Sequence, residues 1–291
     1  MRSTLLCAVA FAVAGCAATE TETEGPARKE TLVGVTEGNQ LVRFNGGQPQ
    51  KATVVGAVTG MQAGESVVAI DYRVARGVLF ALGSTGRIYT IAAQTAKATA
   101  VGSAPMAIAL SGNEFGFDFN PAVDRIRIVS DSGQNFRAHP DTGAAVDSDA
   151  NTPGVQGDGK TAFAASDTNA GKAARVVAAG YTYNKQNDKI TTNYAIDAAT
   201  GSLVTQGTKE GATPAVSPNT GQLFTVGALG IGTFARAHFD ISDVDNAAYL
   251  AADVEGRRGT RIYSVDLATG KATFIGTVGG GERLRGLAIE P

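Results

Sequence analysis

Short alternating runs, rather than helical stripes, pattern this chain. From Thr31 onward apolar and polar residues alternate over a few positions and then break at Gly, Asn or Asp, as half-buried strands joined by tight turns require. Three segments nearly copy one another: Lys51-Ala52-Thr53-Val54-Val55-Gly56, Lys97-Ala98-Thr99-Ala100-Val101-Gly102 and Lys271-Ala272-Thr273-Phe274-Ile275-Gly276. Each follows a strand-like run, respectively Gln40-Leu41-Val42-Arg43-Phe44, Arg87-Ile88-Tyr89-Thr90-Ile91 and Arg261-Ile262-Tyr263-Ser264-Val265. Run, turn and copy together predict a β-hairpin. Looser versions stand at 135–146 and 193–207, turning at Asp141-Thr142-Gly143 and Ala199-Thr200-Gly201.

A further pair of runs precedes each hairpin: 67–71 with 78–82, 115–120 with 125–129, and 238–242 with 248–252. The unit is therefore four short antiparallel strands, repeating about every 45 to 50 residues, the period of a β-propeller blade. Five blades are expected. The runs 215–218 and 222–226 either extend the fourth blade or make a sixth. Sustained 3.6-residue periodicity is absent, and only 162–179 has room for a short helix. The first unit lacks a leading strand, and Arg285-Gly286-Leu287-Ala288-Ile289-Glu290-Pro291 at the C-terminus supplies one. The chain is thus expected to close its ring by lending its last strand to its first sheet, which leaves no open edge between blades.

Composition supports a packed all-β body. Hydrophobic residues make up 43% and charged residues 18%, enough for a core and unlike a disordered chain. The 37 glycines suit many tight turns. A net charge of −2 with scattered Lys and Arg leaves no basic footprint, so a nucleic-acid partner is not expected. Nothing in the pattern calls for a second copy, and a monomer is expected.

The N-terminus reads as an address. Met1-Arg2 precedes an apolar stretch from Leu5 to Ala14 and then Gly15-Cys16, the layout of a secretory signal. Val13-Ala14-Gly15-Cys16 resembles the bacterial lipobox, in which the Cys is acylated and becomes the first residue of the mature protein. The reading is a signal peptide over 1–15, lipidated Cys16 with a polar tether over 16–30, and a propeller over 31–291. The tether, rich in Thr and Glu, has a coil reach of about 20 Å. Lipid on Cys16 makes the membrane a partner and places the protein in the cell envelope. Ala17 in place of Asp favours the outer membrane, as a lipoprotein facing the periplasm or the surface. Cys7 would leave with the signal, so the exported body has no disulfide and relies on its core.

The run Gly116-Phe117-Asp118-Phe119-Asn120-Pro121, followed by Val123-Asp124-Arg125, Ser130-Asp131-Ser132-Gly133-Gln134-Asn135, Arg137 and Pro140-Asp141-Thr142-Gly143, is distinctive. It resembles the signature of a bacterial family known as domain of unknown function 4394. Leu284-Arg285-Gly286-Leu287-Ala288 fits the same pattern, and the likeness covers nearly all of 31–291. Phe136 stands where that family's pattern has Leu, and the acidic loop around Asp147 is longer. The resemblance implies an envelope-associated propeller and names no ligand.

Catalytic chemistry is thin. The two histidines, His139 and His238, fall in different repeats, which argues against a zinc site or a Ser-His-Asp site. Three polar sets invite attention. Arg125, Arg127, Asp131, Gln134, Asn135 and Arg137 crowd one unit; Arg125 and Arg127 share a strand face and could fork onto an anionic or hydroxyl-rich ligand. The competing reading pairs these arginines with Asp124 and Asp131 as a link between blades. Asp147, Asp149, Asn151 and Asp158 have Ca²⁺-loop-like spacing, but without the usual Gly and final Glu, so Ca²⁺ is one expectation and a solvated loop the other. Along the leading strands, Asp118 aligns with Asp240, and Asp71 with Asn120, Ser242 and Glu290. These residues are candidates to line the central channel. The sequence favours a non-catalytic binding or scaffold module with a protein or glycan partner over a metal-assisted hydrolase, lactonase- or glycosidase-like, using channel carboxylates.

Overall fold

The computed structural model describes residues 22–291. Cys16 and the signal segment lie outside the described residues.

Alternation becomes sheet throughout the body. Five antiparallel sheets stand in a ring. Blade 1 is built from Leu284–Ile289, Thr31–Thr36, Gln40–Asn45 and Thr53–Ala57, in that spatial order. Blade 2 runs from Val67–Arg73 through Val78–Gly83 and Ile88–Ala92 to Lys97–Val101. Blade 3 comprises Phe115–Asn120, Arg125–Ser130, Asn135–Ala138 and Ala145–Val146. Blade 4 holds Val176–Tyr181, Asn193–Asp197, Ser202–Gln206 and Gln222–Ala228. Blade 5 holds Phe234–Ile241, Ala248–Val254, Arg261–Val265 and Ala272–Thr277.

The ring closes as the chain ends suggest. Leu284–Ile289 pairs antiparallel with Thr31–Thr36, bringing Leu287 opposite Gly34 and Ala288 opposite Val33. The first strand of each of the other four units is innermost, and each inner strand packs against those of both neighbouring blades. The near-copied segments become outermost strands. They face water, and Val54 there is 64% exposed.

Two expectations resolve differently from their alternatives. Gln222–Ala228 is the fourth strand of blade 4, so no sixth blade forms. The segment 162–179 holds no helix: Ala162–Phe163 pairs parallel onto the outer edge of blade 4, and Val176–Tyr181 is its inner strand. That strand is buried at every position, which is why its Val-Val-Ala-Ala run lacks the alternation of a half-exposed strand.

Small residues let the inner strands converge. A Cβ on Gly116 would come within 2.7 Å of the Ala179 nitrogen, and one on Gly286 within 2.9 Å of Ile70 Cγ1. Larger side chains fill the wedges between blades, as where Phe80 of blade 2 meets Phe119 of blade 3 edge-on at 5.0 Å. The described part of the segment read as a tether lies along the body. The Glu22 carboxylate accepts from the Thr277 amide at 2.7 Å, Lys51 Nζ pairs with Glu24 at 2.5 Å, and buried Glu30 accepts from the Tyr249 hydroxyl at 2.8 Å.

Candidate functional site

Each inner strand carries a small residue or His238 at one inward position, and two residues later the position that meets the axis. The first set is Ala69, Gly116, Ala178, His238 and Gly286; the second is Asp71, Asp118, Gly180, Asp240 and Ala288. Hydrogen bonding fixes this equivalence. The Asp71 carboxylate accepts from the Phe119 amide of blade 3 at 2.8 Å. Asp118 accepts from the Tyr181 amide of blade 4 at 3.0 Å. Asp240 accepts from the Ile289 amide of blade 1 at 2.6 Å. Each aspartate thus clasps the residue just after the matching position of the next blade. Blades 4 and 1, with Gly180 and Ala288, have no clasp to give.

The alignment expected from sequence is corrected here. Asp71 is level with Asp118 and Asp240, two residues away from Asn120, Ser242 and Glu290. The overlooked marker is the small residue two positions upstream, which the packing at the axis demands. Of the five channel candidates, three come together: one oxygen each of Asp71, Asp118 and Asp240 lie within 4.8 Å of one another, and all three residues are buried. Asn120 turns aside, its Oδ1 accepting from the Ala122 amide at 2.9 Å. Glu290 pairs with Arg43.

The electrostatics of this cluster are unusual. Burial, reinforced by the mutual repulsion of the carboxylates, raises Asp71 and Asp118 well above the ordinary carboxylate range. Burial likewise pushes Asp240 up to about 7, against the opposing hydrogen bonds from Ile289 and Ile241. The causes of these shifts are burial, neighbouring aspartates and, opposing them, backbone amides. Tyr183, just past the inner strand of blade 4, is raised by burial and then by the three aspartates, so its hydroxyl sits within their field. Sequence reasoning did not single it out. One layer further in, Ala69, Gly116, Ala178, His238 and Leu287 help to enclose a cavity of about 10 Å³, the size of one water. His238 is buried and neutral there, with its affinity for a proton lowered to about pH 4 by burial, and its Nε2 meets the Leu284 carbonyl at 3.2 Å.

A second polar cluster lies between blades 3 and 4. Arg127 is 2% exposed and spends its guanidinium on the Tyr181 hydroxyl at 3.2 Å, Asn135 Oδ1 and Asp158 at 2.7 Å each, and Asn219 Oδ1 at 2.5 Å. Arg137 binds Asp158 through two N–H groups, both at 2.8 Å. The blade link foreseen for these arginines exists with a different acid. Asp124 pairs instead with Arg73 of blade 2, and Asp131 accepts from the Asn113 amide at 2.9 Å. Gln134 also leaves the cluster, accepting from the Ser111 amide at 3.0 Å and donating to the Ala109 carbonyl at 2.8 Å.

Use of Asp158 by the arginines breaks up the calcium-loop candidates. Asp147 accepts from the amides of Asp149 and Gln156, and Asp149 from that of Asn151, which are local turn contacts. Asp158 is buried beside Arg127 and Arg137, so these four residues are not gathered around one point. Among the described residues, Asp71, Asp118 and Asp240 form the acidic group placed to share a cation.

Comparison with curated proteins by sequence found no match. Solved structures align with much of the chain at low identity. A proposed 6-phosphogluconolactonase from Bacteroides fragilis aligns over 89% of this chain and 97% of its own, with TM-score 0.44 and 10% identity. Its counterpart from Bacteroides uniformis aligns over 85% and 82%, with TM-score 0.38 and 14% identity. TolB from Acinetobacter baumannii aligns over 87% of this chain, which spans 54% of that protein, with TM-score 0.42 and 9% identity. By sequence, the family described as domain of unknown function (DUF4394) matches residues 40–288, and the chain belongs to that family.

Proposed function

We propose that this chain is a cation-binding propeller held at the cell envelope, with its working site at the buried axial carboxylates. One observation carries the reading: three buried carboxylates converge at the axis, held by backbone amides. Isolated carboxylates are costly to bury, and three together either take up protons or hold a cation. Oxygen ligands stand about 2.3–2.6 Å from Ca²⁺, so one ion bridges oxygens up to about 5 Å apart, and the separations here fall inside that limit. Three protein oxygens are fewer than the six to eight that Ca²⁺ takes. The remaining positions would go to water or to oxygens of a bound glycan or protein partner. The signal-like N-terminus and Cys16 support presentation at the membrane, as an outer-membrane lipoprotein.

Binding fits better than turnover because Asp71, Asp118 and Asp240 are only 3–7% exposed, which leaves little room for a substrate against them. The test is calorimetric titration of the purified protein with Ca²⁺, Mg²⁺, Mn²⁺ and Zn²⁺. Saturable binding of one ion, lost in Asp118→Asn and Asp240→Asn, is the expected result. Absence of heat and of any melting shift with all four ions would overturn the reading. Cation-dependent hydrolysis of lactones or aryl glycosides, abolished by Asp118→Asn, would transfer the same site to the hydrolase class. For the anchor, Cys16→Ser should move the protein from membrane to soluble fractions.

A further inference from the structure

Beyond the channel, the geometry points to a second site: we propose that the groove between blades 3 and 4 binds a small ligand carrying a carboxylate or phosphate group. The groove has a volume of about 420 Å³, and Arg125, Arg137, His139, Tyr181 and Asn219 are among its lining residues. Such a volume is that of a small-molecule site.

The donor inventory supports an anion. A guanidinium has five N–H donors. Arg125 donates to the carbonyls of Val123 and Asp124 and has no carboxylate partner among the described residues. Arg137 gives two N–H groups to Asp158 and is 23% exposed, so donors remain that face the groove. Arg127 and Arg137 share the single carboxylate of Asp158, and Arg125 on the same groove pairs with no carboxylate among the described residues, because Asp124 has turned to Arg73. Buried Arg127 fixes the floor: its four partners lock it and, through Asp158, hold Arg137 in place.

Blade 4 also holds unmet hydrogen-bonding capacity in its interior. Asn193 lies opposite Tyr181 in the sheet and is 2% exposed, yet neither its amide nitrogen nor its oxygen has a partner. Oε1 of Gln206, whose amide donates to Asn135 at 3.0 Å, is also unpaired. Unpaired buried polar atoms are costly. Neither Asn193 nor Gln206 lines the groove, so these atoms belong to the interior of blade 4 and the ligand contacts rest on Arg125, Arg137, Tyr181 and Asn219. A neutral sugar could use the hydroxyl and amide groups; the excess positive charge selects an anionic one.

Calorimetry with D-glucuronate, glucose 1-phosphate and D-glucose tests this, the first two separating carboxylate from phosphate. One or both anions should bind saturably and glucose much more weakly. Arg125→Ala should weaken anion binding by about tenfold or more, the loss of a charge-assisted contact, and Arg125→Glu should abolish it. Because Arg125 is engaged only with nearby carbonyls, these variants should melt with the parent. Asp118→Asn should leave anion affinity unchanged, which separates this site from the channel. Failure of both anions to bind, or equal binding by Arg125→Glu, would overturn the proposal.

Discussion

Asp158 and the axial aspartates are buried to a similar degree and live under opposite rules. Asp158 receives two guanidiniums, so its charge is answered from within the chain. Asp71, Asp118 and Asp240 receive backbone amides and one another. The first arrangement is complete and serves as a bolt between blade 3 and its neighbour. The second leaves negative charge unanswered where three blades meet. Burial alone therefore does not mark a candidate site in this protein; a missing partner does.

The largest effect should come from breaking the completed cluster. Arg127→Met leaves Asp158 with Arg137 alone, strips Asn219 Oδ1 and the Tyr181 hydroxyl of their guanidinium donor, and should cost about 3–5 kcal/mol by chemical denaturation. A loss below about 1 kcal/mol would show the bolt to be incidental. Next comes the response to a cation. At a hundred times its Kd, Ca²⁺ should stabilise the parent by about 2.7 kcal/mol and leave Asp118→Asn unmoved. In chelator the order should reverse, with Asp118→Asn the more stable, because its amide oxygen keeps the Tyr181 bond while a repelling charge is gone.

pH sharpens the contrast. Asp240 has its proton affinity raised in the folded state, from the ordinary value of 3.8 to about 7. Folding then favours the protonated form, so cation-free stability should fall as pH rises from about 4 to 7. His238 acts in the other direction: its value falls from 6.5 to about 4, and stability should be lost as pH drops through that window. Asp240→Asn should reduce the first slope, leaving the share of Asp71 and Asp118, and retain the second, read from denaturation midpoints between pH 4 and 7. If the slopes of parent and variant coincide, the axial carboxylate does not titrate on unfolding. The smallest effect belongs to Glu290, whose partner Arg43 is 53% exposed. Glu290→Gln should change stability by no more than about 1 kcal/mol and leave cation affinity untouched.

Much of the architecture was legible before any coordinates. Near-copied outer strands, turn residues at fixed offsets and a missing first strand matched by a surplus last one imply a closed ring of blades. The site was legible in part. Asp118 and Asp240 could be set level because their blades share the pattern of an apolar residue on either side. Asp71 was displaced by two although Ile70 and Tyr72 flank it in the same way, because levels drawn from strand ends shift when the inner strands differ in length: 7 residues in Val67–Arg73, 6 in Phe115–Asn120 and 8 in Phe234–Ile241. Asp158 was misread outright: its spacing from Asp147 imitates a calcium loop, and sequence distance holds no trace of an arginine on another strand.

Alternation, turns and repeat length are local properties, set by which face of a strand must avoid water, and so the sequence by itself determined strands, blades and ring closure. Which acids meet, and whether a cation or an arginine answers them, depends on how five inner strands register across the axis. That register comes from packing of small side chains between distant segments, and only the tertiary structure decided it.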